Sequence, residues 1–145
     1  MDFELAEEHQ MVREMAQKFA ESEIKPVAAA LDANHEHPTD ICEALGELSM
    51  MGVAVPEEYG GAGMDNLSYA LALMEISKGC ASVGAIMSVN NSLYCYPVMA
   101  YGTHEQKAKY LTPVASGKKI GCYGLTEAGA GSDPAALRTT AEKDG

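Results

Sequence analysis

The sequence predicts a mainly α chain that turns toward β structure near its end. Three observations carry this. Up to about residue 116, apolar residues recur at helical spacing. Pro and Gly gather between those periodic stretches, as in VAVPEEYGGAGMD, which holds one Pro and three Gly and reads as a loop. Beyond residue 117 the period shortens to alternation, with Ile120 and Cys122 set against Tyr123 and Leu125. Residues 1–116 therefore read as a complete helical unit, and 117–145 as the first strands of a β unit.

The elements follow in order. Residues 3–25 place Leu5, Val12, Met15 and Phe19 on one helical face, until Pro26 breaks the run. Val27 to Ala33 is Ala-rich and favours helix, fading into NHEHP, where Pro38 ends it. Asp40 with Glu43 suits an N-terminal cap; Ile41, Leu45 and Leu48 give a short helix, and Gly52 is a natural stop. Asn66 caps a helix through Ile76, with Leu67, Leu71 and Met74 turned inward and Gly79 at its end. Residues 81–101 are apolar nearly all round, which predicts a central, buried helix. Thr103 and Gln106 form a capping box for a last helix ending at Pro113. Residues 120–125 and 137–142 read as strands, the second helped by Thr139 and Thr140, and Asp144-Gly145 as a hairpin turn.

Composition excludes several classes. With 21 Asp and Glu against 10 Lys and Arg, the net charge is −11, so phosphate-driven nucleic-acid binding is disfavoured. Residues 1–65 hold 15 of those acids, read as a solvated helical face. Residues 79–103 lack charge, but Asn90, Asn91, three serines and Pro97 interrupt them, which argues for a core helix over a membrane span. The start, MDFELAEEHQ, has neither a basic nor an apolar leader segment. Four scattered cysteines without a CxxC then suggest reduced thiols and a cytoplasmic setting.

Most catalytic motifs fail. Gly129 and Gly131 lack the third glycine of a dinucleotide fingerprint, since Pro134 stands in its place. Lys118 follows Gly117 without the spacing of a phosphate loop. His35 and His37 have no third metal ligand nearby and read as surface histidines. Cys122 has no partner histidine close in sequence. Two features remain. Glycines 129 and 131, with the hydroxyls of Thr126 and Ser132, allow either a plain connector or a loop whose main-chain N–H groups approach a ligand. Asn90, Asn91 and Ser92, inside an apolar helix, either tie down neighbouring loops or border a ligand cavity.

The order of these motifs, PEEYGGAGMD and then SVNNSLYCYPVMAYGTHEQKAKYLTPVASGKKIGCYGLTEAGAGSD, resembles the acyl-CoA dehydrogenases, above all their short-chain, butyryl-CoA members. The resemblance spans the whole chain and about the first third of a family member. It implies an N-terminal helical bundle domain, then the first strands of a middle β-barrel domain, with a C-terminal helical domain beyond. It implies FAD as cofactor, and oxidation of an acyl-CoA substrate to the trans-2-enoyl-CoA: a glutamate takes the α-proton and the β-hydrogen leaves as hydride to flavin N5. Electrons then pass to an electron-transferring flavoprotein, and members are usually homotetramers.

Residue by residue, the family's flavin loop falls on Tyr123, Gly124, Leu125, Thr126, Glu127, Ala128, Gly129, Ala130, Gly131 and Ser132. Thr126 would bond near the reactive edge of the flavin, and Ser132 would contact flavin and thioester. Ile86, Val89 and Leu93 would help wall the acyl pocket. There are two departures. The family usually has Pro where this chain has Ala128, which leaves the loop freer before binding. The family's catalytic glutamate belongs to the C-terminal domain, and none of Glu105, Glu127 or Glu142 matches it. Two other readings stay open: a non-catalytic helical module for binding or oligomerisation, and a same-scaffold acyl-CoA oxidase or flavin monooxygenase.

Overall fold

The computed structural model describes residues 4–144. Phe3, at the start of the first predicted helix, and Gly145, half of the predicted turn, lie outside the described residues. Helix α1 runs Glu7–Phe19 and widens into a π turn, Ala20–Ile24, before Pro26. Helix α2 is Ala28–Asn34, closed by His35 in the left-handed region at φ 56°. Helix α3 is Thr39–Glu47. Short 3₁₀ turns at Met50–Gly52 and Glu57–Tyr59 punctuate the loop to α4, Asn66–Gly79. A continuous helix then runs as α5, Ala81–Ser88, a π segment, Val89–Cys95, and α6, Tyr96–Tyr101. The last helix joins α7, His104–Gln106, to α8, Thr112–Ala115, through a third π turn, Lys107–Leu111.

Two apolar clusters form the core. The larger gathers Val12, Ala16, Ala20 and Ile24 of the first helix with Ile41, Leu45, Met51, Ile76 and Met87. The smaller joins Val55, Tyr59, Cys95, Leu111, Val114 and Ala115. The helix of residues 81–101 serves both, through Met87 in α5 and Cys95 at the end of its π segment. The first helix buries a run of i, i+4 positions that includes two alanines, so helix α4 packs close against it.

Several local expectations are corrected. Asp65, not Asn66, caps α4, its carboxylate accepting from Ser68 N at 2.8 Å. That bond and a second from His9 hold its pKa at about 2. Leu67 and Met74 face outward; α4 buries Ser68, Ala72, Glu75 and Ile76 instead. An apolar stripe alone does not say which side of a helix meets the core when small residues on the other side allow closer packing. The helix of 81–101 is central but not buried all round: Leu93, Tyr96 and Tyr101 are exposed. Thr39 begins α3 with Pro38 before it and no side-chain cap, so the Asp40 cap is not formed. Helix α3 ends ahead of Ser49, at φ 58°, rather than at Gly52. The capping box of Thr103 and Gln106 forms as expected. The helix after it continues through Pro113 to Ala115, the π turn before Pro113 giving its ring room.

The strands predicted at 120–125 and 137–142 do not form. Among the described residues the chain past Ala115 holds one antiparallel bridge, Glu127 with Ala130, and one 3₁₀ turn, Pro134–Ala136. The cause is the lack of a partner: a strand's main-chain groups need a neighbour, and an isolated pair is marginal in water.

Glu75 is the buried charge of the bundle, 3 % exposed. Lys78 Nζ donates to its Oε2 at 2.7 Å and Arg13 Nε to its Oε1 at 2.9 Å, and both bonds lower its pKa. Glu75→Gln should cost about 1–2 kcal/mol at neutral pH, measured by chemical denaturation. The lowered native pKa makes this stabilisation complete above the unfolded-state value of about 4.3. The gap between variant and wild type should therefore close as the pH falls through the native pKa.

Burial pushes the Cys95 thiol up to about 12 and raises that of Cys42, whereas Cys122 is exposed. A thiol reagent at about pH 8 should label Cys122 in the native protein, and Cys42 and Cys95 only as it unfolds.

Candidate functional site

The site begins on the π segment Val89–Cys95. Ile86, Val89 and Leu93 lie at i, i+3 and i+7 and so share one side of the helix. Ile86 is partly buried against the larger cluster, Val89 is half-buried, and Leu93 is exposed. Beside them the two asparagines resolve the question the sequence leaves open: they tie loops down. Asn91 Nδ2 donates to Met50 O and Met87 O, both at 2.9 Å, and its Oδ1 accepts from Val53 N at 2.8 Å. Asn90, fully buried, donates from Nδ2 to Met51 O at 2.7 Å and Val114 O at 3.4 Å. Its Oδ1 accepts from Gly121 N at 2.7 Å. Asn91 and Ser92 also border a surface cavity of about 350 Å³ with Val55, Tyr69, Tyr96 and Met99.

The chain leaves the bundle under close restraint. Gly117, at φ 73°, crosses against Gly46, where a Cβ on Gly46 would meet Gly117 Cα at 2.7 Å. Lys119 N donates to Pro113 O at 2.9 Å. At Gly121 a Cβ would meet Tyr94 Cβ at 2.6 Å, so only glycine lets the backbone lie against that ring. Sequence reasoning missed Gly121 and Tyr94. A signal was present, because a glycine inside a strand-like stretch often marks a close backbone approach.

Past Gly121 most of the loop is open to solvent. Tyr123, Gly124, Leu125, Thr126, Ala128, Gly129, Gly131 and Ser132 are exposed, Glu127 is half-buried, and Ala130 alone of the loop is buried. Only Glu127 and Ala130 exchange main-chain bonds, each at 3.1 Å. Among the described residues the other loop N–H groups, and the hydroxyls of Thr126 and Ser132, have no hydrogen-bond partner. A Cβ on Gly124, Gly129 or Gly131 would meet nothing within 4 Å. None of the three is left-handed, so they contribute an absent side chain rather than a special turn.

This loop fits a flat, polar ring system such as a flavin. It offers open space beside three glycines, unpaired N–H donors, two hydroxyls, and exposed apolar Tyr123 and Leu125 to cover a ring. The link the structure shows between this loop and the helix of Ile86, Val89 and Leu93 runs through Gly121 to Asn90 and Tyr94. His35 and His37 are exposed, and among the described residues no three potential metal ligands gather.

Glu127 closes the loop on its far side. Its Oε2 accepts from Arg138 N at 2.9 Å, and its Oε1 from Thr139 N at 2.8 Å and from the Thr139 hydroxyl. These bonds, the Thr139 hydroxyl foremost, lower its pKa. The carboxylate is a clamp with both of its oxygens bonded. Glu127→Ala should release residues 138–139, so that trypsin cleaves after Arg138 about threefold faster or more while the melting temperature stays the same.

The chain matches the family model for the acyl-CoA dehydrogenase N-terminal domain over residues 6–118. It is 51% identical to the short-chain specific acyl-CoA dehydrogenase of Rattus norvegicus over 98% of its own length and 34% of the relative's. It is also similar to a chain in the solved structure described as the electron transferring flavoprotein of Acidaminococcus fermentans. That match has a TM-score of 0.93 and 44% identity, over 97% of this chain and 37% of that one. An acyl-CoA dehydrogenase complexed with FAD, from Bacillus anthracis, matches with a TM-score of 0.86 and 33% identity, over 92% of this chain and 23% of that one. The chain thus spans about a third of the length of the curated relative. With the helical architecture and the family match in agreement, the chain belongs to the acyl-CoA dehydrogenases, as their N-terminal domain.

Proposed function

We propose that the complete gene product is an FAD-dependent short-chain acyl-CoA dehydrogenase, oxidising an acyl-CoA to the trans-2-enoyl-CoA. One observation carries this: a chain of this family presents, beyond its last α-helix, an open glycine loop in which the N–H groups other than those of Glu127 and Ala130 have no partner among the described residues. FAD, when bound, supplies the two-electron acceptor chemistry.

The chain's own residues have separable tasks in this reading. The main-chain N–H groups of Leu125, Thr126, Ala128, Gly129, Gly131 and Ser132, which Glu127 and Ala130 leave free by pairing with each other, would hold the polar edge of the ring, and the Thr126 hydroxyl would donate to it. Gly124, Gly129 and Gly131 let the ring approach the backbone. Ser132 meets both the ring and the thioester. Ile86, Val89 and Leu93 exclude water from one wall of the acyl pocket. Glu127 holds the loop's shape and leaves proton abstraction to a glutamate this chain does not hold. The division falls after residue 116, with a helical domain before it and the start of a β domain from 117. The short-chain substrate is supported by the rat relative's name. An electron-transferring flavoprotein partner is supported by the Acidaminococcus fermentans match. A tetramer is part of the same reading.

The test is a visible absorption spectrum of the complete gene product with FAD, before and after anaerobic butyryl-CoA. A flavin band that bleaches is the expected result, and Thr126→Ala should slow the bleaching about tenfold or more. A flavin band that no acyl-CoA bleaches overturns the reading, and oxygen uptake during turnover turns it toward an oxidase.

A further inference from the structure

A buried amide needs only to be satisfied, and partners close by are enough for that. Asn91 shows the local solution: its three bonds go to Met50, Met87 and Val53, all inside the bundle. Asn90 differs. Its Nδ2 is held by Met51 O and Val114 O, main-chain groups from the 3₁₀ turn and from α8. Those two bonds leave Oδ1 aimed at the N–H of Gly121, 2.7 Å away, in the first stretch that leaves the helices. Tyr94, four residues along the same π segment, presses its ring against the same glycine. One helical turn therefore grips the exit segment twice, and Val89 sits on that turn beside Asn90.

From this we propose that Asn90 is a positioning residue: through Gly121 it sets the place of the flavin loop relative to the helix that walls the acyl pocket. The inference rests on the functional reading above. Two residues separate Gly121 from Leu125's neighbour Gly124, and five separate it from Glu127, so a shift of the anchor passes directly into the loop. A ring and a thioester held by opposite sides of this junction keep their spacing only while it holds. Displacements of about 1 Å at such points are enough to cost large factors in rate.

The test compares three variants of the complete gene product: Asn90→Ala, Asn91→Ala and Gly121→Ala. Asn90→Ala and Asn91→Ala each remove a buried or half-buried amide from the same π segment. Only the first frees Gly121. Gly121→Ala keeps every core amide and pushes the segment off Tyr94. The readouts are FAD affinity by titration of the apoprotein, circular dichroism of the bound flavin, and the melting temperature. Asn90→Ala and Gly121→Ala should weaken FAD binding about tenfold or more and alter the flavin dichroism. Asn91→Ala should lower the melting temperature and leave both flavin readouts as in wild type. If Asn90→Ala does not fold, Gly121→Ala still decides. FAD bound by Gly121→Ala or Asn90→Ala as tightly as by wild type, or equally weakened binding in Asn91→Ala, overturns the inference alone. A wild-type product that takes up no FAD overturns the functional reading and this inference with it.

Discussion

The Asn90 amide joins three separate segments, through hydrogen bonds to Met51 O, Val114 O and Gly121 N. It is fully buried, so each of its polar atoms must find a partner or cost about 1–3 kcal/mol. Its partners lie far apart in sequence: Met51, Val114 and Gly121. To satisfy one amide, the 3₁₀ turn, the end of the last helix and the exit segment must all be in place. The two apolar clusters cannot enforce this. Apolar contact is non-directional and tolerates small shifts, whereas a hydrogen bond at 2.7 Å does not. The position of Asn90 between Met87 and Cys95 puts that directional constraint at the seam of the two clusters.

Charge plays a supporting part. Most of the acidic excess lies on exposed helix surfaces, where it keeps the bundle solvated. Glu75 is the exception, and its burial is tolerable because Arg13 and Lys78 reach it from the rim while keeping about half of their own surface in water. Asp65 acts at the other end of the same helix, where its charge meets unpaired N–H groups. These carboxylates fix how α4 lies on α1. The Asn pair fixes what lies beyond.

What was legible in the sequence follows from where the determinants sit. Helices were readable because Pro, Gly and apolar spacing act within a few residues; α2 and the capping box at Thr103 appear as read, and the helix of 81–101 appears where it was read, though with Leu93, Tyr96 and Tyr101 exposed. The facing of α4 was not, because Leu67 and Met74 look like core residues until Ala72 and Ser68 allow closer contact. The three π segments were not readable either, since no residue type marks a wider turn. The strands failed for a different reason: alternation reports a tendency, and the pairing that fulfils it comes from other parts of a chain. At the site, the glycines and hydroxyls of residues 124–132 stood out by composition. The anchor did not, because nothing in NNS or IGC says that Asn90 reaches Gly121 across thirty-one positions. The clamp of Glu127 on Thr139 was hidden in the same way.

The exit is fixed at Gly121, and the loop beyond it is open to a ring. Amide hydrogen exchange of the complete gene product, with and without FAD, tests this arrangement most directly. Slow exchange is expected at Gly121 in both states. Fast exchange is expected at Ala128, Gly129 and Gly131 without FAD, and marked slowing of all three once FAD is bound. Gly121 exchanging as fast as Gly129 in the absence of FAD, or loop amides indifferent to FAD, would contradict it.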